Sequence, residues 1–274
     1  TSSLREVHPA DTPISQSAPV DSAAAIHGAN VRRGHVSWPA AVARTIHTFR
    51  RTIACHQEIK ASLDHETSPA TRSRQLQAAS VAVCRTLRID VTVRGSAPTT
   101  PSIIVSNHLS YLDPLLVGRS VPTSAIAKSE IAGWPTIGSS LQSLGIVFVR
   151  RGCARSGAAA LRKMMRTLAD GVSVLVFPEG TTTFGDTVLP FSRGAFGVSR
   201  ITGVSVVPAA ISYDTDEACW VGDAHFLPHI ARLHRIERVG ATLSFGPALH
   251  PNDFEGATGL SNAAREWITS TDRR

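Results

Sequence analysis

From residue 88 onward, short β-rich runs alternate with stretches of helical length, and that alternation narrows the possible folds more than any other feature of the chain. The runs are Ile89–Val93, Ile103–Val105, Ala125–Ala127, Ile146–Val149, Val172–Phe177, Val204–Tyr213 and Ala241–Phe245. Helical stretches lie near 111–118, 134–144, 154–170, 193–202 and 260–270. Apolar runs this short are strands covered on both faces. Alternating with helices, they predict an α/β fold built on a largely parallel mixed sheet flanked by helices. In such sheets the ligand site lies outside the carboxyl ends of the strands. Residues that directly follow a strand are therefore the ones to read for chemistry.

The chain ahead of the sheet has a different texture. Residues 1–36 are rich in Ser, Ala, Pro and Thr without periodicity, which predicts a mobile tail. A helix is expected from near Ser37, with Pro39 in its first turn. Trp38, Val42, Ile46, Phe49 and Ile53 then form one apolar stripe, with Arg44 and Arg51 opposite. A second helix from about Ala70 to Leu87 repeats the design, with Leu76, Ala79, Val83 and Leu87 on one face and Arg74 and Arg85 on the other. Residues 37–88 thus read as a basic amphipathic helical hairpin, and residues 89–274 as the α/β domain. Each stripe has two readings: packing onto the rest of the protein, or lying in a membrane interface with arginines toward anionic headgroups.

Charge distribution bears on that choice. The whole chain carries +7, and residues 32–88 hold ten Arg and Lys against Glu58, Asp64 and Glu66, an equal excess. A basic block of this kind suits an anionic membrane surface or nucleic acid. The absence of aromatic–basic interleaving disfavours nucleic acid. With 42% hydrophobic and 18% charged residues the chain is globular rather than disordered. No apolar run approaches the ~20 residues that cross a bilayer. No signal-peptide pattern opens the sequence, and its first residue, Thr1, leaves upstream processing or a lost anchor open. Cys55, Cys84, Cys153 and Cys219 have no paired spacing, which suits a reducing compartment and neither a zinc site nor a disulfide frame.

The most chemical segment is Asn107-His108-Leu109-Ser110-Tyr111-Leu112-Asp113, after the apolar run ending at Val105. It reads as a strand turning directly into a helix. Ser110 is the expected N-cap and Asp113 falls at N3, leaning back toward His108. An imidazole held by a carboxylate is a general base for a substrate hydroxyl. A plain capping box is the alternative. Next, Gly145-Ile146-Val147-Phe148-Val149-Arg150-Arg151 delivers two guanidinium groups past a strand, suited to phosphate or carboxylate, or to a solvated basic turn. Then Phe177-Pro178-Glu179-Gly180-Thr181-Thr182-Thr183 closes a strand with a Glu that either orients hydroxyls of a ligand or positions a catalytic-loop residue. Last, Pro208 interrupts the run Val206–Ile211 and marks a strand edge, a bulge or a tunnel wall.

In order and spacing these blocks resemble the motifs of the glycerolipid acyltransferases, the 1-acylglycerol-3-phosphate acyltransferases and their relatives. Asn107-His108…Asp113 is similar to NHxxxxD, Gly145…Phe148…Arg150 to GxxFxxR, Phe177–Thr181 to FPEGT, and Val207-Pro208 to the last, proline-containing block; the resemblance covers roughly residues 70–250. It implies transfer of a fatty acyl group from acyl-CoA or acyl carrier protein to the free hydroxyl of a lysolipid, with no bound cofactor and no metal. His108 would be the general base and Asp113 its partner. Lys128, Arg150, Glu179, Gly180, Thr181 and Thr182 would bind the acceptor. The family also implies a peripheral enzyme on the cytoplasmic face of the cell membrane. One departure matters. Many phosphatidate-forming members carry Arg directly after FPEGT, where this chain has Thr182, and the FPEGTT form resembles the bacterial branch that includes lyso-ornithine-lipid acyltransferases. 1-Acylglycerol-3-phosphate, giving phosphatidic acid, is the commonest acceptor and the first expectation; lyso-ornithine lipid is the second. A non-catalytic lipid-binding protein and a thioesterase using the same His are the readings from other classes.

Asp214, Asp216, Glu217, Asp223, His225 and His229 make an acidic, histidine-bearing patch. Pro228 argues against a regular helix presenting both rings to a metal, so this patch reads as a polar loop. No Gly-x-Ser-x-Gly elbow exists to support a serine hydrolase.

Overall fold

The computed structural model describes residues 34–63, 67–222 and 224–271. The expected tail lies outside them up to residue 33, as do Asp64, Glu66 and Asp223. Two helices come first, α1 (Trp38–Ser62) and α2 (Pro69–Thr86). They lead into β1 (Ile89–Arg94), β2 (Ile103–Ser106), α3 (Asp113–Ser120), β3 (Thr123–Lys128), α4 (Ile137–Ser143), β4 (Val147–Val149) and α5 (Ala154–Ala169). The chain continues through β5 (Ser173–Val176), α6 (Gly194–Thr202), β6 (Val206–Tyr213), α7 (Phe226–Leu233), β7 (Val239–Phe245) and α8 (Gly256–Thr271).

The strands form one seven-stranded sheet in the order β1-β7-β6-β2-β5-β3-β4. From β6 to β4 every neighbouring pair is parallel; β7 runs antiparallel to β6, and β1 is parallel to β7. The sheet is therefore mixed but largely parallel. Because side chains alternate along a strand, each strand feeds two cores. Ile104, Val207, Ala209, Ile211 and Leu243 pack with Leu112, Leu116 and Val117 and, from α7, Ile230 and Leu233. Ile103, Val105, Val174, Val206 and Ala210 pack on the other face with Met164 and Leu168 of α5, Phe196 of α6 and Leu260 and Ile268 of α8. α2 joins the first core: Leu76 and Val83 lean on it and Cys84 and Leu87 are buried in it. Ser80 and Gly118 bring α2 and α3 close, since a Cβ on Gly118 would lie 2.9 Å from the Ser80 hydroxyl.

Pro208 sits inside the sheet, not at its edge. Ala209 pairs with Phe245 while Val206 bridges Leu249, so the 245–249 side carries one extra residue opposite β6. This is a bulge, and the missing N–H of Pro208 falls within it. The side chains of Val206, Val207, Ala209, Ala210 and Ile211 are taken up by the two cores.

α1 packs in the opposite sense to the packing reading of its stripe. Trp38, Val42, Ile46, Phe49 and Ile53 are between 37% and 54% exposed. Its other face docks instead. Arg44 Nη1 donates to the carbonyls of His234 and Ile236, the Thr48 hydroxyl meets His234 Nε2 at 2.9 Å, and His56 Nδ1 meets Ser140 Oγ at 2.7 Å. Arg44, expected to face headgroups, is thus spent on the protein's own carbonyls. Burial, chiefly, holds His234 neutral by lowering its pKa to about 4. Among the described residues no helix is long and apolar enough to cross a membrane.

Candidate active site

β2, β5, β3 and β4 run parallel, so His108, Glu179, Lys128 and Arg150 all emerge at one edge of the sheet. At that edge the chain leaves β2 for α3 on one face of the sheet and leaves β5 for α6 on the other. A divergence of this kind is where a ligand site is expected in a parallel sheet. His108 follows β2 there, and the FPEGT loop follows β5.

Within the β2–α3 loop the helix begins at Asp113 itself, with Pro114 in its first turn. Ser110 is not the N-cap and Asp113 is not at N3, because the Asp113 N–H closes a turn onto the Ser110 carbonyl at 3.2 Å. The Ser110 hydroxyl is buried and has no hydrogen-bond partner among the described residues. The pairing foreseen from the spacing forms by this tighter route. His108 Nδ1 lies 2.8 Å from Asp113 Oδ2, with the imidazole 15% exposed and the carboxylate fully buried. Oδ2 also accepts from the N–H groups of Leu109 at 2.6 Å and Ser110 at 2.8 Å. Oδ1 accepts from the Tyr213 hydroxyl at 2.7 Å. A buried carboxylate is costly unless it is fully hydrogen-bonded, and four donors meet that requirement here. The arrangement assigns the proton to Nδ1 and leaves the lone pair on Nε2.

Tyr213 lies a hundred residues from Asp113, and no sequence spacing points to it. Burial and then the Asp113 charge push its pKa well up, so the phenol stays a donor. Asn107 ties the same strands together. Its carboxamide donates to the Ile211 carbonyl and accepts from the Ile211 N–H, both at 2.8 Å, in the manner of one more peptide pair. The His108 ring stacks on Phe177, with centroids 4.0 Å apart and planes 19° from parallel.

Both carboxylate oxygens of Glu179 accept from backbone amides. Its Oε1 accepts the His108 N–H and its Oε2 the Leu189 N–H, each at 2.8 Å. Thr183 N–H in turn donates to the His108 carbonyl at 2.9 Å. The FPEGT loop thereby clamps the histidine's backbone on both sides. Burial raises the Glu179 pKa, and these amide donors oppose the rise. Gly180, at φ +73°, makes the turn. Gly180 and Thr181 are exposed and Thr182 is half-buried. No hydrogen bond within the described residues occupies the hydroxyls of Thr181 and Thr182. Further along the edge, Lys128 pairs with Glu130 at 3.3 Å. Arg150 lines an open cavity of about 340 Å³ with Phe148, Arg155 and Ser156. Arg155 was not foreseen in that group.

Within the acidic, histidine-bearing segment, His229 lies in a helix and not in the polar loop expected. α7 runs through Pro228, which sits within its first turn, where a proline is tolerated. His229 is buried, with Nδ1 3.0 Å from the Tyr111 hydroxyl and Nε2 3.0 Å from the Cys219 carbonyl. Both ring nitrogens are engaged. Among the described residues no group of three or more His, Cys, Asp and Glu side chains is placed to hold a metal. Tyr111 also meets Trp220 and Phe226 edge-on, and Trp134 leans on Phe226 at 5.0 Å, so an aromatic group flanks the His108 loop.

Comparison with known proteins adds the following. A family model described as Acyltransferase matches residues 88–212. The lyso-ornithine lipid O-acyltransferase of Pseudomonas aeruginosa is 37% identical over 163 residues, 57% of this chain and 62% of that protein. The protein of the same name from Rhodobacter capsulatus is 30% identical over 203 residues, 69% of this chain and 73% of that one. The 1-acyl-sn-glycerol-3-phosphate acyltransferase of Neisseria gonorrhoeae is 33% identical over 147 residues, 53% of this chain and 58% of that protein. The chain thus spans about three-fifths of the Pseudomonas and Neisseria relatives. Among solved structures, the 1-acyl-sn-glycerophosphate acyltransferase PlsC from Thermotoga maritima superposes with a TM-score of 0.60 at 22% identity, covering 84% of this chain and 96% of that one. That likeness concerns the fold.

Proposed function

The chain belongs to the acyltransferase family, and from that premise we propose that it is a lysolipid O-acyltransferase acting at a membrane surface, with lyso-ornithine lipid or a similar amino-acid-headed lipid as acceptor. The observation that carries the reading is the His108–Asp113 pair at the carboxyl end of β2, with Nδ1 bound to the carboxylate and Nε2 left as the base. In the reaction Nε2 takes the proton of the acceptor hydroxyl as its oxygen attacks the thioester carbonyl. The carbon–sulfur bond breaks, and the imidazolium returns the proton to the departing thiolate. Asp113 stabilises the imidazolium between these steps. Holding donor and acceptor together supplies much of the remaining acceleration, and no covalent acyl-enzyme is required.

The headgroup assignment rests on Thr182. A phosphate there would lack the guanidinium that many phosphatidate-forming members place after FPEGT, whereas unoccupied threonine hydroxyls suit a neutral or zwitterionic headgroup. The names of the Pseudomonas and Rhodobacter relatives support the same choice. A second reading, 1-acylglycerol-3-phosphate as acceptor, is favoured by Lys128, Arg150 and Arg155 along the same edge. The aromatic group around Tyr111 offers apolar surface for the acyl chain. The outward stripe of α1 supports peripheral attachment to the cytoplasmic face of the membrane, with the apolar row in the interface and nearby basic residues at its border.

Purified protein, given lyso-ornithine lipid or 1-acylglycerol-3-phosphate with acyl-CoA or acyl carrier protein and analysed by mass spectrometry, tests the assignment. Accumulation of diacylated ornithine lipid is expected. Faster turnover of the phosphate acceptor would favour the second reading, and release of free fatty acid without acylated lipid would identify a thioesterase. Undiminished transfer by His108→Ala would refute the mechanism.

A further inference from the structure

Helix α5 carries Arg155, Arg162, Lys163 and Arg166 and no carboxylate. At 3.6 residues per turn, Arg155, Arg162 and Arg166 fall within about 40° of one another, with Lys163 about 60° to one side. The buried residues of this helix, Ala160, Met164, Thr167 and Leu168, lie on the opposite side, so the row faces outward, and all four cations are exposed. Among the described residues none of the four joins an ion pair. The row is about 16 Å long at 1.5 Å per residue. Arg166 in the last turn suits the helix dipole, but Arg155 stands in the first turn, where the dipole disfavours a cation, and Arg162 and Arg166 are like charges one turn apart. Helix stability therefore does not explain the row as a whole.

Placement narrows the partner. α5 begins where β4 ends, at the same sheet edge as His108 and three strand spacings away, about 14 Å. α5 packs in the core it shares with α6 and α8, on the face of the sheet opposite α2, α3 and α7. α1, with its exposed apolar stripe, docks on α7's side. A flat membrane meeting the α1 stripe is thus on the wrong side for α5. The compact anionic end of coenzyme A would engage one end of the row and leave Arg162 and Arg166 idle. An elongated acidic protein surface fits the whole length.

We propose that this face of α5 is the docking surface for an acidic carrier protein that presents the acyl thioester on a phosphopantetheine arm, the arm crossing the sheet edge to His108. The proposal rests on the acyl-transfer reading above and names the donor for it. The test compares the unmodified enzyme with Arg162→Glu/Arg166→Glu, two positions outside the cavity lined by Arg150 and Arg155. Each is supplied with the same acyl chain on carrier protein and on coenzyme A, at low salt. The expected result is a tenfold or greater rise in KM for the acyl carrier, with kcat/KM for acyl-CoA and binding to anionic vesicles each within twofold. High salt should erase the difference between the two enzymes. An equal loss with both donors, an unchanged KM for the carrier, or a loss of vesicle binding instead would overturn the docking proposal. So would an unmodified enzyme that turns over acyl-CoA alone, which would leave the acyl-transfer reading standing. Absence of transfer from either donor would refute both.

Discussion

Asp113 holds a full charge away from water, and the groups around it show how its loss would be felt. Asp113→Asn removes the acceptor that holds the His108 proton on Nδ1, so the ring can take the other tautomer with no lone pair on Nε2. Turnover should fall by about 10²–10⁴, the usual worth of a positioned base, with little change in acceptor KM, as read by steady-state kinetics. Tyr213→Phe is milder. It deletes one hydrogen bond to a buried anion, about 1.5–3 kcal/mol. Turnover should fall as the carboxylate loses one of the contacts that fix it against His108, while phenylalanine keeps the packing. A Tyr213 that merely filled space would change melting temperature alone. Glu179→Gln separates two roles for that residue. As the clamp on the His108 and Leu189 amides, it should cost kcat about tenfold to a hundredfold through misplacement of the base; a rise confined to acceptor KM would show that it binds headgroup instead. The dyad was legible from five residues of spacing and the clamp was one of two open readings. Tyr213 was not legible, because a contact across a hundred residues leaves no local pattern.

At the level of elements, strands were readable because buried parallel strands are plain apolar runs, and their expected limits fall within two residues of those found. The direction in which α1 faces was not. An amphipathic stripe states that one side is apolar without stating what meets it, and here the polar side docks. Replacing Ile46 and Phe49 with Ser should therefore leave the melting temperature unchanged while weakening vesicle binding at least tenfold, since burying each such side chain is worth about 1.5–3 kcal/mol. A large fall in melting temperature would show that the stripe packs on protein after all. The α1 dock should also respond to acid. His234, against Thr48, has a folded pKa of about 4 set by burial and then by Arg44, Arg88 and His47, against 6.5 unfolded. The unfolded chain takes that proton first, so the contribution is intact above pH 6.5 and is lost as pH falls toward 4. His234→Gln, which cannot titrate, should show a smaller drop in melting temperature between pH 7 and pH 4.5 than the unmodified protein. α7 escaped notice because Pro228 was weighed as a breaker, although a first turn tolerates it.

Across the whole molecule, the site depends on the sheet being joined where its halves meet. β2 brings His108, β5 brings Glu179 and β6 brings Tyr213, and β2 lies between the other two. The β2–β6 ladder runs from Ile103–Val206 to Ser106–Ala209 and stops short of Tyr213. Beyond its last rung the Asn107 carboxamide supplies the missing pair to Ile211, two residues before the tyrosine that holds Asp113. That is why a residue with both a donor and an acceptor stands beside the base. Asn107→Ala leaves the Ile211 N–H and carbonyl buried without this partner, at about 1–3 kcal/mol for each group. For a chain of this size each kcal/mol lowers the melting temperature by roughly 2–4 °C. The variant should melt several degrees lower and, at temperatures where it remains folded, show a kcat reduced together with the loss of Tyr213 from Asp113. Combining Asn107→Ala with Tyr213→Phe should then cost less activity than the two separate losses added, because both act on one carboxylate. Additive losses would place the work of Asn107 elsewhere in the sheet.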